Sequence, residues 1–174
     1  LFATGTFFLQ YFYYQNFLNK KENTNEQQQE KATKATLQVQ KQFPSFGYDN
    51  LLADWAFLQF VQYMGDTEVR EKIGYSLAPD YFNIIVKRDP RFVNAYFYLS
   101  TGTTVFAGYP QKTVNNLETV LKHVTPDISS KAYLLWKYKA VDEMIFLGEF
   151  EAAQHSYRMA AKWVPKDLPN AEEI

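Results

Sequence analysis

From residue 43 onward, apolar positions recur three and four apart in blocks separated by glycine or proline, the pattern of helices that each bury one face. The clearest block is "LLWKYKAVDEMIFLGEFEAAQHSYRMAAKWVP", residues 134–165, which holds two such patterns on either side of Gly148. The second of them sets Phe150, Ala153, Tyr157 and Ala160 on one stripe and ends at Pro165. Small Ala153 and Ala160 let a paired helix approach closely, and Tyr157 fills the space between them. An upstream block, "FAGYPQKTVNNLETVLKHVTP", repeats the spacing with Gly108, Thr113, Leu117 and Val120, with Pro110 suited to a first helical turn and Pro126 at the close. A third is looser: "NLLADWAFLQFVQYMGD" runs to Gly65, and "PDYFNIIVKRDP" follows and closes on Asp89 and Pro90. The interval 67–78 is too long for a tight helix–helix turn and reads as an insertion. Gly65, Gly108 and Gly148 recur at the roughly 34- to 45-residue period of helical arrays, and three helix pairs are about the fewest that bury a continuous core. The expectation is an all-α body over residues 43–165, followed by a polar tail, 166–174.

The chain ahead of that body has two textures. Residues 1–21, "LFATGTFFLQYFYYQNFLNKK", are apolar and aromatic and finish on two lysines. The apolar run is close to the minimum of about 17 to 20 residues that cross a bilayer. Tyr11, Tyr13, Tyr14 and Phe17 crowd its second half, just before Lys20 and Lys21. Tyrosine at headgroup level keeps its ring apolar and its hydroxyl wet, while lysine snorkels to water. That order predicts the exit end of a transmembrane anchor whose first turns lie upstream of Leu1. The bulky "YFYYQNFL" offers no small-residue cleavage site, so a removed signal peptide does not fit. A buried amphipathic helix is the alternative. Residues 22–42, "ENTNEQQQEKATKATLQVQKQ", are polar and favour helix, as a stalk or a tether, with too little apolar surface to join a core.

Composition narrows the function classes. Of 174 residues, 47% are hydrophobic and 18% aromatic, enough for a real core. A net charge of −1 argues against nucleic acid as a partner. The absence of cysteine removes disulfides, thiolate metal sites and cysteine nucleophiles. His123 and His155 lack ligand-spaced neighbours, and no phosphate loop, HExxH or GxSxG occurs. Ser156 beside His155 points elsewhere on a helix, so the two do not form a nucleophile–base pair. The carboxylate pairs Asp142/Glu143 and Glu149/Glu151 read as solvated charges, and so does the basic run "VKRDPR", residues 86–91. No enzyme, metal or cofactor is expected.

Gly148, Phe150, Ala153, Tyr157, Ala160 and Pro165 match the second helix of the tetratricopeptide repeat, and the chain from residue 43 resembles that family, with only its last unit close to consensus. The resemblance implies an all-α, TPR-like helical-hairpin solenoid of about three repeats whose first helices line a groove. Counting back equally from the three glycines aligns Trp55, Tyr98 and Tyr138, with Gln59, Gly102 and Asp142 one turn on. That row would be a partner-binding groove of aromatics over a polar floor, Gln59 and Asp142. The competing expectation is that the aromatics are core, offset by one position. Leu99 and Lys139 replace the cationic clamp of chaperone-binding members. "GYDNLLADWAFLQFVQYMGD" and "IVKRDPRFVNAY" resemble membrane-anchored tetratricopeptide proteins of cyanobacteria, which implies thylakoid membrane complexes as partners.

Together these features predict a non-catalytic, single-pass membrane adaptor. It would contact the lipid bilayer through its anchor and a protein partner through its helical array, in assembly or stabilisation of a membrane complex. A permanent accessory subunit held by the anchor, where Ala3, Thr4 and Gly5 permit close helix approach, is the alternative. Lys20 and Lys21 favour a cytoplasmic domain by the positive-inside tendency; an uncleaved amino-terminal helix favours the lumenal or periplasmic side, toward which the expectation leans.

Overall fold

The computed structural model describes Tyr11 and residues 26–165, and all regular structure among them is helical. The chain divides into two units, Leu1–Thr36 and Leu37–Ile174. In the first, Tyr11 is an exposed helical residue, and residues 26–36 belong to helix α1, Glu26–Gln42. The expected anchor, apart from Tyr11, and the tail lie outside the described residues. Among the described residues no helix is long and apolar enough to cross a membrane.

Helix α1 forms from residues of good helix propensity, with Glu26 in the first turn and Lys41 in the last complementing the helix dipole. The expectation that residues 22–42 stay out of any core fails at Leu37, which is buried with the core of the second unit. One well-placed leucine per few turns is enough to dock a polar helix, and packing therefore begins ahead of Phe43.

The second unit continues with α2 (Asp49–Gly65), α3 (Thr67–Ile73), α4 (Ala78–Arg88) and α5 (Val93–Tyr96). Residues 97–99 then lead into a wider π-helical segment, Ser100–Phe106. Next come α6 (Pro110–Leu121), α7 (Tyr133–Val141) with a second π segment, Asp142–Leu147, and α8 (Phe150–Trp163). The expected pairs form: α2 packs on α4, the first π segment on α6, and α7 on α8; α4 also meets α6, and α6 meets α7. The insertion is α3. Arg70 from it lies 4.0 Å from the Tyr63 ring centroid and donates to Gly74 O at 2.8 Å, while the Leu77 N–H donates to Tyr63 Oη at 3.2 Å.

The core follows the sequence stripes. Ala53, Ala56, Phe60 and Tyr63, spaced three and four apart, bury one face of α2. They meet Tyr81 and Phe82 of α4, with Phe60 and Phe82 in an edge-to-face pair 4.7 Å apart. Gly102 is required here: a Cβ on it would stand 2.7 Å from Phe60 Cζ. Thr113, Leu117 and Val120 of α6 are fully buried, as the repeat pattern predicts. Gly108 and Gly148 end their helices in the left-handed conformation, at φ 75° and 70°. The following N–H groups of Tyr109 and Glu149 reach back to Thr103 O and Glu143 O at 2.9 and 2.8 Å, closing the orphan carbonyls. Gly65 does not take that conformation, and α2 has no such cap.

The junction charges are not all solvated. Arg88, at the end of α4, is buried and donates to Gln40 O at 3.2 Å, to Phe43 O, and to Asp49 Oδ1 at 2.9 Å. It thereby caps the carboxyl end of α1, whose last carbonyls have no intrahelical partner. Lys87 donates to Lys41 O at 3.0 Å. The Arg88 hydrogen bond, with a second from Ser45, holds the Asp49 carboxyl below the usual carboxylate range.

Candidate functional site

The five residues of the expected groove fall into three environments. Trp55 on α2 and Tyr98 after α5 are 54% and 55% exposed. Tyr98 leans on Phe57 at 5.7 Å between ring centroids, and Phe57 in turn meets Phe92 at 5.4 Å, so an aromatic cluster backs the exposed tyrosine. Tyr138 is half-buried and packs 6.2 Å from Phe97. Gln59 is also half-buried, and its Oε1 has no hydrogen-bond partner among the described residues. Asp142 is fully buried. The alignment thus brings two aromatics to the surface, leaves one at its margin, and places the carboxylate inside.

Asp142 and Glu143 correct the expectation of solvated charge, since both are buried. The π segment that begins at Asp142 turns both toward neighbouring helices. Asp142 Oδ1 accepts from Ser100 Oγ at 3.1 Å, while Oδ2 lacks a partner among the described residues. Burial pushes its carboxyl above the usual range and nearby Glu143 adds to the rise, opposed mainly by the Ser100 hydrogen bond. Thr104 donates to Thr113 Oγ1 of α6 at 2.8 Å.

Glu143 belongs to a second buried set. Lys139 Nζ contacts Glu143 Oε1, lies 3.3 Å from Ser156 Oγ of α8, and is 3.5 Å from Glu118 Oε1 of α6. Ser156 donates to Glu143 Oε2 at 2.6 Å. Ser156 is fully buried and Lys139 nearly so. The set locks α7 to α6 and α8. From the sequence Lys139 is placed only beside the groove aromatics, yet a signal for its buried role existed: Leu135, Lys139 and Glu143 lie four apart, which puts two charges on an apolar stripe.

His123 and His155 are both exposed; His155 stands edge-on to Trp136 at 6.0 Å. No group of three or more histidines, aspartates or glutamates suited to a metal occurs among the described residues. The outer side of α8 carries a shallow cleft of about 470 Å³ bordered by Met144, Phe150, Tyr157 and Arg158. Comparison of the chain with protein-family models, curated proteins and solved structures finds no match.

Proposed function

We propose that the chain is a TPR-like solenoid of three helix pairs that works as a non-catalytic adaptor, held at a membrane by residues 1–21 and docking a protein partner through the faces of its first helices. The observation that carries this reading is the exposure of Trp55 on α2 and of Tyr98 in the turn that leads into the first π segment, the first members of adjacent pairs. A large aromatic left more than half in water forgoes burial inside its own fold, and aromatics with a polar edge are the anchors that protein interfaces concentrate. The polar set around Lys139 supports a structural role beneath that face, because Lys139, Glu143 and Ser156 bind one another inside the helical body. Tyr138 lies at the margin of the proposed contact.

The test is co-purification of the tagged full-length chain from detergent-solubilised membranes of its source. Replacement of Trp55, Tyr98 and Tyr138 by Ala removes the co-purifying complex. The double variant Trp55→Ala/Tyr98→Ala, which spares the half-buried Tyr138, does the same with an unchanged thermal transition. Retention of the complex by the folded double variant overturns the reading.

A further inference from the structure

The connection between α1 and α2, "FPSFGY", is a short turn that exposes three aromatics. Phe43 is 52% exposed, Phe46 80% and Tyr48 67%. The Tyr48 N–H closes a turn onto Ser45 O at 2.8 Å, and both central residues have positive φ, 50° at Phe46 and 89° at Gly47. That is the pattern of a type I′ turn, whose central positions favour Gly, Asn and Asp. Gly47 suits its place. Phe46 does not: an aromatic in the left-handed region costs backbone energy, and one so exposed returns little of that cost through packing.

The turn is nonetheless held firmly. Arg88 binds Gln40 O, Phe43 O and Asp49, and the Ser45 hydroxyl donates to Asp49 Oδ2 at 2.9 Å. Three aromatics are therefore presented outward by a clamped backbone. The charges beside them are mainly positive. Asp49 balances Arg88, while the Lys87 ammonium lies on the Lys41 carbonyl, and neither the Lys41 nor the Lys87 ammonium is ion-paired among the described residues.

We propose that the turn over residues 43–48 is a membrane-surface contact: Phe43, Phe46 and Tyr48 enter the headgroup–acyl boundary of an anionic bilayer while Lys41 and Lys87 engage its phosphates. Aromatic rings at the tip with lysines behind them match the chemistry of that boundary, apolar at depth and negative at the surface. A protein partner is the less suited occupant, because all three aromatics are carried on one short exposed turn with unpaired lysines close to it in the chain and through the Lys87–Lys41 O bond. The contact is separate from the Trp55/Tyr98 face and stands or falls without it.

The chain's lack of cysteine makes a single label site-specific. Full-length protein with Gln42→Cys, carrying an environment-sensitive fluorophore, is titrated with phosphatidylcholine vesicles, with and without phosphatidylserine. The expected result is a blue shift and intensity rise with the anionic vesicles that high salt suppresses. In a Phe43→Ser/Phe46→Asn background the response weakens by about tenfold or more, from the apolar area lost. Residues 1–21 are the same in both proteins, so the difference reports the turn. Phe46→Asn alone keeps or raises the melting temperature, because Asn tolerates the left-handed region. Equal responses in the two backgrounds, or no response to anionic vesicles, overturn the proposal. So does a fluorescence change that follows protein concentration without vesicles, which would mark contact between copies. A lower melting temperature for Phe46→Asn also counts against it, since Phe46 would then be serving the fold.

Discussion

Gly102→Ala isolates the closest approach in the core. The added methyl would sit 2.7 Å from Phe60 Cζ and 3.0 Å from Cε2, well inside the 3.4 Å at which ordinary contact begins. A ring can relieve such an overlap only if it has room to move. Phe60 has little: it is buried between Phe82 at 4.7 Å, Tyr81 at 6.2 Å and Phe57 at 6.2 Å. Overpacking of this kind costs about 1–3 kcal/mol, while replacing a helical glycine by alanine returns about 1 kcal/mol. The net is a loss of up to about 2 kcal/mol, or up to about 8 °C in melting temperature for a body of this size. Urea unfolding of the wild type, Gly102→Ala, Phe60→Leu and the double variant closes a cycle. Phe60→Leu alone opens a cavity that the new methyl partly fills, so the double variant loses less than the two single losses added. A stabilising Gly102→Ala, or strict additivity in the cycle, refutes the packing argument.

Two further outcomes test the buried charges. Lys139→Met strands the Glu143 carboxylate and costs about 3–5 kcal/mol, whereas Lys139→Met/Glu143→Gln recovers most of that loss in the same urea assay; additive losses would show that the pair is not coupled. Asp142 binds a proton in the native state between its ordinary pKa of 3.8 and its raised value. Stability should therefore fall as pH rises through that window, and Asp142→Asn should remove this slope and be the more stable protein at neutral pH; parallel melting-temperature profiles for the two proteins would contradict the assignment.

The helical body was readable because its stripes are regular. Thr113, Leu117 and Val120, or Ala153 and Ala160 two turns apart, need only helical spacing to declare a face, although Phe150, expected on the same stripe as those alanines, is 70% exposed. The groove alignment was less legible, since it assumed that three glycines play one part. Gly108 and Gly148 are left-handed caps after π segments, and Gly65 is neither. A π turn adds a residue per turn relative to an α-helix and rotates what lies around it, so equal counting from the glycines does not return equal orientations. Asp142 starts such a segment and lies inside; Gln59, in regular α2, lies at the surface margin. Leu37 was missed because average polarity hides a single well-placed apolar side chain. Arg88 was missed for a different reason: its partners are mostly backbone carbonyls about 45 positions away, which no local pattern encodes.

The Arg88 clip also has a mechanical meaning. A load applied through residues upstream of Leu37 travels down α1 and reaches its carboxyl end, where the guanidinium grips Gln40, Phe43 and Asp49 at once. One guanidinium makes all three bonds, so they share the load. Charge-assisted bonds that fail together give a stiff, short-range joint, so tension on the amino-terminal segment is delivered to the helical body as a whole rather than peeling it one helix at a time.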